Sequence, residues 1–212
     1  MLARLRVNLP DRTGSLARIA TAVGNANADI ESVTVLQGHE GGRAFDELTV
    51  DVVDNAHLSA TVAAIDALRG FRVEGVACPA PPVSAHGDLG LVANLVQQPE
   101  RLVTTLADGL PGAYGAHWAL VLRFDDPDAG PEVVARSSGA PQAPQLPLRS
   151  MPLRLSCWSD DVSATAVAPL AGGPMAVLLS RDGGPPFHDS EMWRLETLGT
   201  IAGRLISQYQ LV

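Results

Sequence analysis

The sequence predicts an α+β protein in two domains. Three observations carry that expectation. Residues 1–77 alternate between strand-like and helix-like periods in the order strand, helix, strand, strand, helix, strand. Residues 78–87 interrupt the pattern with Pro79, Pro81 and Pro82, which suit a semi-rigid linker and cannot continue a helix or a central strand. Residues 88–212 then start again with helices, pass through strands and close on a long apolar-periodic helix. At 46% hydrophobic and 18% charged residues, the chain has the material for sizeable cores.

In the first domain, "LARLRVNL" places Leu5, Val7 and Leu9 on one face and Arg4, Arg6 and Asn8 on the other, a half-buried strand. Leu16, Ile19, Ala20 and Val23 follow at helical spacing. "DIESVTVLQ" is a β-branched run, "HEGGR" a turn, and "AFDELTVDVV" alternates with Leu48, Val50 and Val52 on one side. Leu58, Val62, Ile65 and Leu68 mark a second helix, and "GFRVEGV" a last short strand. The βαββαβ order is the split arrangement of ferredoxin-like folds. It implies one antiparallel sheet with both helices on one face, which accounts for the alternation.

In the second domain, Leu91, Val92, Leu95 and Val96 mark a helix over 88–98, and Pro99 opens another with Leu102, Val103 and Leu106 on one face. "AHWALVLRF" and "EVVARSS" read as strands around the turn "DDPDAGP", and "GAPQAPQLPLRSMP" as irregular. "ATAVAPLAGGPMAVLLSRDGGPPF" reads as a hairpin, and 189–209 as the closing helix.

The polar residues Asp11, Arg12, Thr13, Gly14 and Ser15 fall where the first strand meets the first helix, just before Leu16. Gly14 permits a tight turn and the close approach of a ligand. Free amides around residues 14–16 and the helix dipole favour a carboxylate. Asp11 and Asp29 are suited to an ammonium group. A carboxylate cradle beside ammonium acceptors describes a free amino acid.

Those residues resemble the ACT domain, a small regulatory module that senses amino acids. The resemblance covers residues 4–76 and rests on "PDRTGSLARIATAV" followed by "NADI" in βαββαβ order. It maps the family's first motif onto Asp11, Gly14 and Leu16, and its second onto Asp29 and Ile30. Both positions that are often Asn in the family are Asp here, and Thr13 replaces a common Pro. The carboxylates therefore suit the ammonium end of a ligand. The resemblance also implies that two copies pair edge to edge with the ligand between them, so that Asp11 of one copy and Asp29 of another share it. The expected binding set is Asp11, Arg12, Thr13, Gly14, Ser15, Leu16, Asp29 and Ile30.

Residues 88–210 resemble a short GAF domain, a sensory sheet-and-helix module, most closely over "VAPLAGGPMAVLLSRDGGPPFHDSEMWRLETLGTIAGRL". The Pro-rich stretch 138–152 stands where that family builds a helix over its ligand. The resemblance also makes the helix at 88–98 and the closing helix candidates for pairing between subunits.

Other functions find little support. The net charge is −8, with seven Arg against ten acidic residues in 1–78 and eight against thirteen beyond, so no basic surface suits nucleic acid. Lysine is absent, which excludes Schiff-base and phosphate-loop lysines. Cys78 and Cys157 are expected to be free thiols in a cytoplasmic protein, Cys157 buried and inert. The start of the chain lacks a signal-peptide pattern, and no apolar run reaches the roughly 18 residues of a membrane span. His86 with Asp88, His39 with Glu40, and His188 with Asp189 complete no metal pattern; Asp189 is expected to cap the closing helix. Asp125, Asp126 and Asp128 read as a solvated turn, and no nucleophile elbow is present. The sequence thus leads to a non-enzymatic regulatory protein without metal or cofactor. A free amino acid is its expected ligand, a homodimer its expected state, and a downstream protein of unknown identity its partner. The alternative is a structural dimerisation and docking protein with no small-molecule ligand.

Overall fold

The structure, a computed structural model, describes residues 1–39, 41–78, 87–126, 129–142, 144, 154–160, 162–183 and 185–210. The chain divides into two compact units, Met1–Pro81 and Pro82–Val212. Most of the expected linker, with His86, lies outside the described residues, as do Glu40, the side chain of His39, Asp128 and much of 138–152.

The first unit has the elements β1 (Leu2–Pro10), α1 (Ser15–Asn25), β2 (Asp29–His39), β3 (Arg43–Asp51), α2 (Asn55–Asp66) and β4 (Arg72–Ala77). Its sheet has the order β2-β3-β1-β4 and is antiparallel throughout. One face of β1 and β3 supplies Leu5, Val7, Leu9, Leu48 and Val50; α1 adds Ile19 and Val23, and α2 adds Leu58 and Ile65, forming one core cluster. Gly41 and Gly42 turn the β2–β3 hairpin with positive φ, a conformation that glycine adopts at little cost. Asp54 caps α2 by accepting from the His57 amide.

The opposite face of β1 is less solvated than its charges suggest. Arg4 and Arg6 are buried, and both guanidinium groups pair with Glu47 on β3, at 3.4 Å and 2.8 Å. Long Arg stems lie along a sheet and remain covered when a carboxylate receives their heads. The strand is therefore buried on both sides at these positions.

The second unit begins with α3 (Gly87–Gln97), a 3-10 turn at Pro99–Arg101 and α4 (Leu102–Tyr114). It continues through β5 (Trp118–Arg123), β6 (Glu132–Arg136), β7 (Ser156–Ser159), β8 (Ser163–Leu170) and β9 (Met175–Asp182) to α5 (Asp189–Gln210). The antiparallel sheet has the order β6-β5-β9-β8-β7. Helices α4 and α5 pack on one face and α3 packs against those two helices, in one cluster that includes Leu95, Leu106, Leu110, Leu179 and Leu195. Leu120, Leu122, Val167, Ala176 and Leu178 form a second cluster on the other face.

Three sequence expectations change in this unit. Strand β7 is additional to them: it is a short edge strand held by its pairing with β8. Cys157 lies on it and is exposed, not buried. Its thiol is nevertheless held above the ordinary value, by local desolvation first and by Asp189 and Glu191 next. The start of α5 is capped by His188 and Glu191 in place of Asp189: the Glu191 carboxylate accepts from the His188 amide, and His188 Nδ1 accepts from the Ser190 amide. A Glu three residues into the helix reaching back in this way is one half of a capping box.

Candidate functional site

Strand β1 ends at Pro10, and α1 begins at Ser15. The four residues between them turn on Gly14, whose φ of 86° is in the left-handed region. The Asp11 amide bonds the Gly42 carbonyl, and the Ser15 hydroxyl donates to the Pro10 carbonyl at 2.8 Å, so the corner is pinned on both sides. The Ser15 amide is already used by the Arg12 carbonyl at 3.2 Å. The amides of Gly14 and Leu16 meet no acceptor among the described residues, which leaves them to serve an anion.

A cavity of about 280 Å³ opens at this corner. Asp11, Arg12, Thr13, Gly14, Ser15 and Leu16 all line it. The structure thus brings six of the eight expected residues to one place. The other two are elsewhere in the protomer. Asp29 stands opposite Asp51, which is also opposite Leu2, whereas the corner follows Pro10, opposite Arg43. Eight strand residues, roughly 27 Å, separate the two ends. The Asp29 carboxylate accepts from the Ile30 amide, and Ile30 packs against the core.

Asp46 joins the site without being among the residues expected from sequence. It sits on β3 opposite Val7, on the core-facing side of the sheet, and lines the same cavity. It is only 2% exposed, and its Oδ1 meets no hydrogen-bond donor. Burial raises its pKa above the ordinary carboxylate value, and the nearby Asp11 charge raises it further. Val35 of the edge strand β2 and Ala44 complete the wall beside it. Arg12 is exposed and forms no ion pair among the described residues. The site therefore presents two carboxylates, one of them desolvated, beside a free guanidinium and free amides.

Asp46 has a measurable stability consequence. A carboxyl whose folded pKa is raised stabilises the fold when protonated, below its unfolded value of about 3.9, and that contribution is lost as pH rises through the folded value. Asp46→Asn is neutral at every pH. The variant is expected to melt a few degrees higher than the parent at pH 7, with the gap closing towards pH 4. Scanning calorimetry across that range checks it.

The second unit has a larger cavity, about 520 Å³, between α3 and α4, lined by Gly90, Asn94, Arg101, Thr105 and Gly109 among others. Among the described residues it contains no buried side-chain atom without a partner. It therefore lacks the feature that marks the β1–α1 corner.

Residues 1–73 match the family model of the ACT domain. No curated protein matches the chain. The ACT unit is similar in structure to the ACT domain of GTP pyrophosphokinase from Chlorobium tepidum, at 17% identity over 36% of this chain and 95% of that one, with a TM-score of 0.30. The second unit is similar to GAF domains. One is from Acinetobacter phosphoenolpyruvate-protein phosphotransferase, at 10% identity over 60% of this chain and 98% of that one, with a TM-score of 0.46. Another is the GAF domain/HD domain protein from Geobacter sulfurreducens, at 23% identity over 59% of this chain and 99% of that one, with a TM-score of 0.36. The ACT match supports a regulatory role. No described helix is long and apolar enough to cross a membrane, and the described residues hold no cluster of three or more metal-ligating side chains.

Proposed function

We propose that the chain is a cytoplasmic regulator that binds a free amino acid at the β1–α1 corner of its ACT unit, works as a homodimer and catalyses no reaction. The carrying observation is the convergence of opposite binding chemistries on one small cavity. Asp11 and Asp46 suit an ammonium, and Arg12 with the Gly14 and Leu16 amides suits a carboxylate. A volume of about 280 Å³ is at the small end for ligand pockets and favours a metabolite of amino-acid size.

The cavity reaches the sheet edge through Val35 on β2. Val33 and Val35 are 43% and 65% exposed there. A second copy added along that edge would cover them, close the cavity and bring its own Asp29 to the ligand. The ligand then favours one dimer geometry through its higher affinity for that geometry, and the GAF-like unit passes the change to a downstream protein.

Calorimetric melting of the full chain with each of the twenty amino acids tests this reading. One chemical group of amino acids is expected to raise the ACT-unit transition by several degrees when present well above its dissociation constant. Asp11→Ala and Asp29→Ala are each expected to reduce that rise. No rise with any amino acid would contradict the reading. The exposed valines of β2 favour a second one, a dimerisation module without ligand. In that case sedimentation would show a dimer that no amino acid alters.

A further inference from the structure

Buried acceptors in folded proteins nearly always meet a donor, because desolvation without one costs free energy. Asp46 departs from that rule on the wall of an open cavity. Its Oδ1 is covered and has no partner, and the same cavity holds Asp11, whose charge repels its own. On a core-facing strand position, among Ala44, Leu48 and Val50, an aliphatic residue would pack without this cost. A charge in that place destabilises the empty protein, and a cationic group in the cavity would relieve it.

We propose that Asp46, assisted by Asp11, is the counter-charge for a protonated primary amine, so that the cavity selects its ligand by the ammonium group and takes the carboxylate second, at Arg12 and the amides of Gly14 and Leu16. The carboxylate half rests on the amino-acid reading, whereas the amine half stands without it. The desolvated Asp46 gives the strong contact, because an ion pair held out of water is screened less than one at the surface. Asp11 is exposed and supplies a weaker, solvent-screened attraction. The pocket therefore ranks probes by charge: amino acid first, the corresponding amine without its carboxylate next, and the corresponding acid without its amine last.

The experiment is titration calorimetry on the full chain at pH 7 with the twenty amino acids, with their decarboxylated amines and with their deaminated acids. The parent is expected to bind one group of amino acids and, more weakly, the matching amines. Asp46→Asn is expected to lose about 10- to 100-fold in affinity for both, and Asp11→Asn less. Arg12→Ala is expected to weaken the amino acids and leave the amines unchanged. Because Asp46→Asn should melt above the parent, unfolding would not explain its loss.

Unchanged affinity of Asp46→Asn for an amino acid that the parent binds would overturn the Asp46 assignment and leave the amino-acid reading standing. Amines that bind where no amino acid does would support Asp46 and remove that reading. Deaminated acids that bind as well as the amino acids would overturn the proposal, and so would calcium chloride binding in place of any amine. Failure of both amines and amino acids to bind would overturn both.

Discussion

Gly203→Ala is expected to destabilise the second unit more than alanine at any other described glycine of that unit. Gly203 lies on α5 where the helix crosses the β8–β9 turn. An added Cβ would collide with the backbone N and O of Ala171 and stand 2.7 Å from the Leu170 carbonyl carbon. Backbone cannot rotate away as a side-chain tip can. Either α5 or the turn must move, and α5 carries Met192, Leu195, Leu198, Ala202 and Ile206 into the core. Overpacking of this kind costs about 3 kcal/mol, which lowers the melting temperature on the order of 10 °C. Gly173→Ala, in the β8–β9 turn with open space at its Cβ, should change it by about a degree. Calorimetric melting of the two variants side by side measures the difference.

The second large effect is expected at Arg181. Its guanidinium is buried under the start of α5, paired with the equally buried Glu191 and stacked 4.0 Å from the centre of the Phe187 ring. It also donates to the carbonyls of Tyr114, Gly115 and Pro185, which ties the end of α4 and the approach to α5 together. Arg181→Met removes all of these donors and leaves the Glu191 charge in a dry site. Breaking a buried pair from one side costs about 3–5 kcal/mol, a fall in melting temperature of roughly 10–15 °C. The double variant Arg181→Met with Glu191→Leu should melt above Arg181→Met alone, because the buried Glu191 charge leaves together with its arginine, a gain that outweighs the lost contact from the His188 amide. Chemical denaturation of the parent, both single variants and the double variant gives the coupling.

Much of the first unit was legible because its strands and helices supply apolar residues at one parity or one helical stripe to a single core. Leu5, Val7 and Leu9 alternate with Arg4, Arg6 and Asn8, and it is those three apolar residues that join the core cluster. The period could not reveal that Glu47 would arrive from β3 to cover Arg4 and Arg6. That pairing is set by register between distant segments. β7 lacked a signal for a similar reason: "SCWS" has no apolar face of its own and becomes a strand only beside β8. The cap of α5 went to Glu191 because a residue three positions into a helix reaches the free amide ahead of it.

At the candidate site the turn from Asp11 to Leu16 was readable, since Gly14 falls between an alternating strand and a helical period. Asp46 was also within reach. The alternation that assigned Leu48, Val50 and Val52 to the core continues backwards through Asp46 to Ala44. A charge at that parity was the overlooked signal. Asp29 required topology: β2 and β1 flank β3 on opposite sides, and that shared partner places the start of β2 at the end of the sheet away from the corner.

Backbone amide NMR of the full chain, titrated with the amino acid that most raises the melting temperature, reads the proposed site residue by residue. Trp118, Trp158 and Trp193 all lie in the second unit, so tryptophan emission would report poorly on the ACT unit. Binding at the β1–α1 corner requires saturable shifts at Gly14, Leu16, Val35 and Asp46. Shifts confined to the second unit, with the corner resonances unmoved at saturation, would place the ligand elsewhere and refute the site.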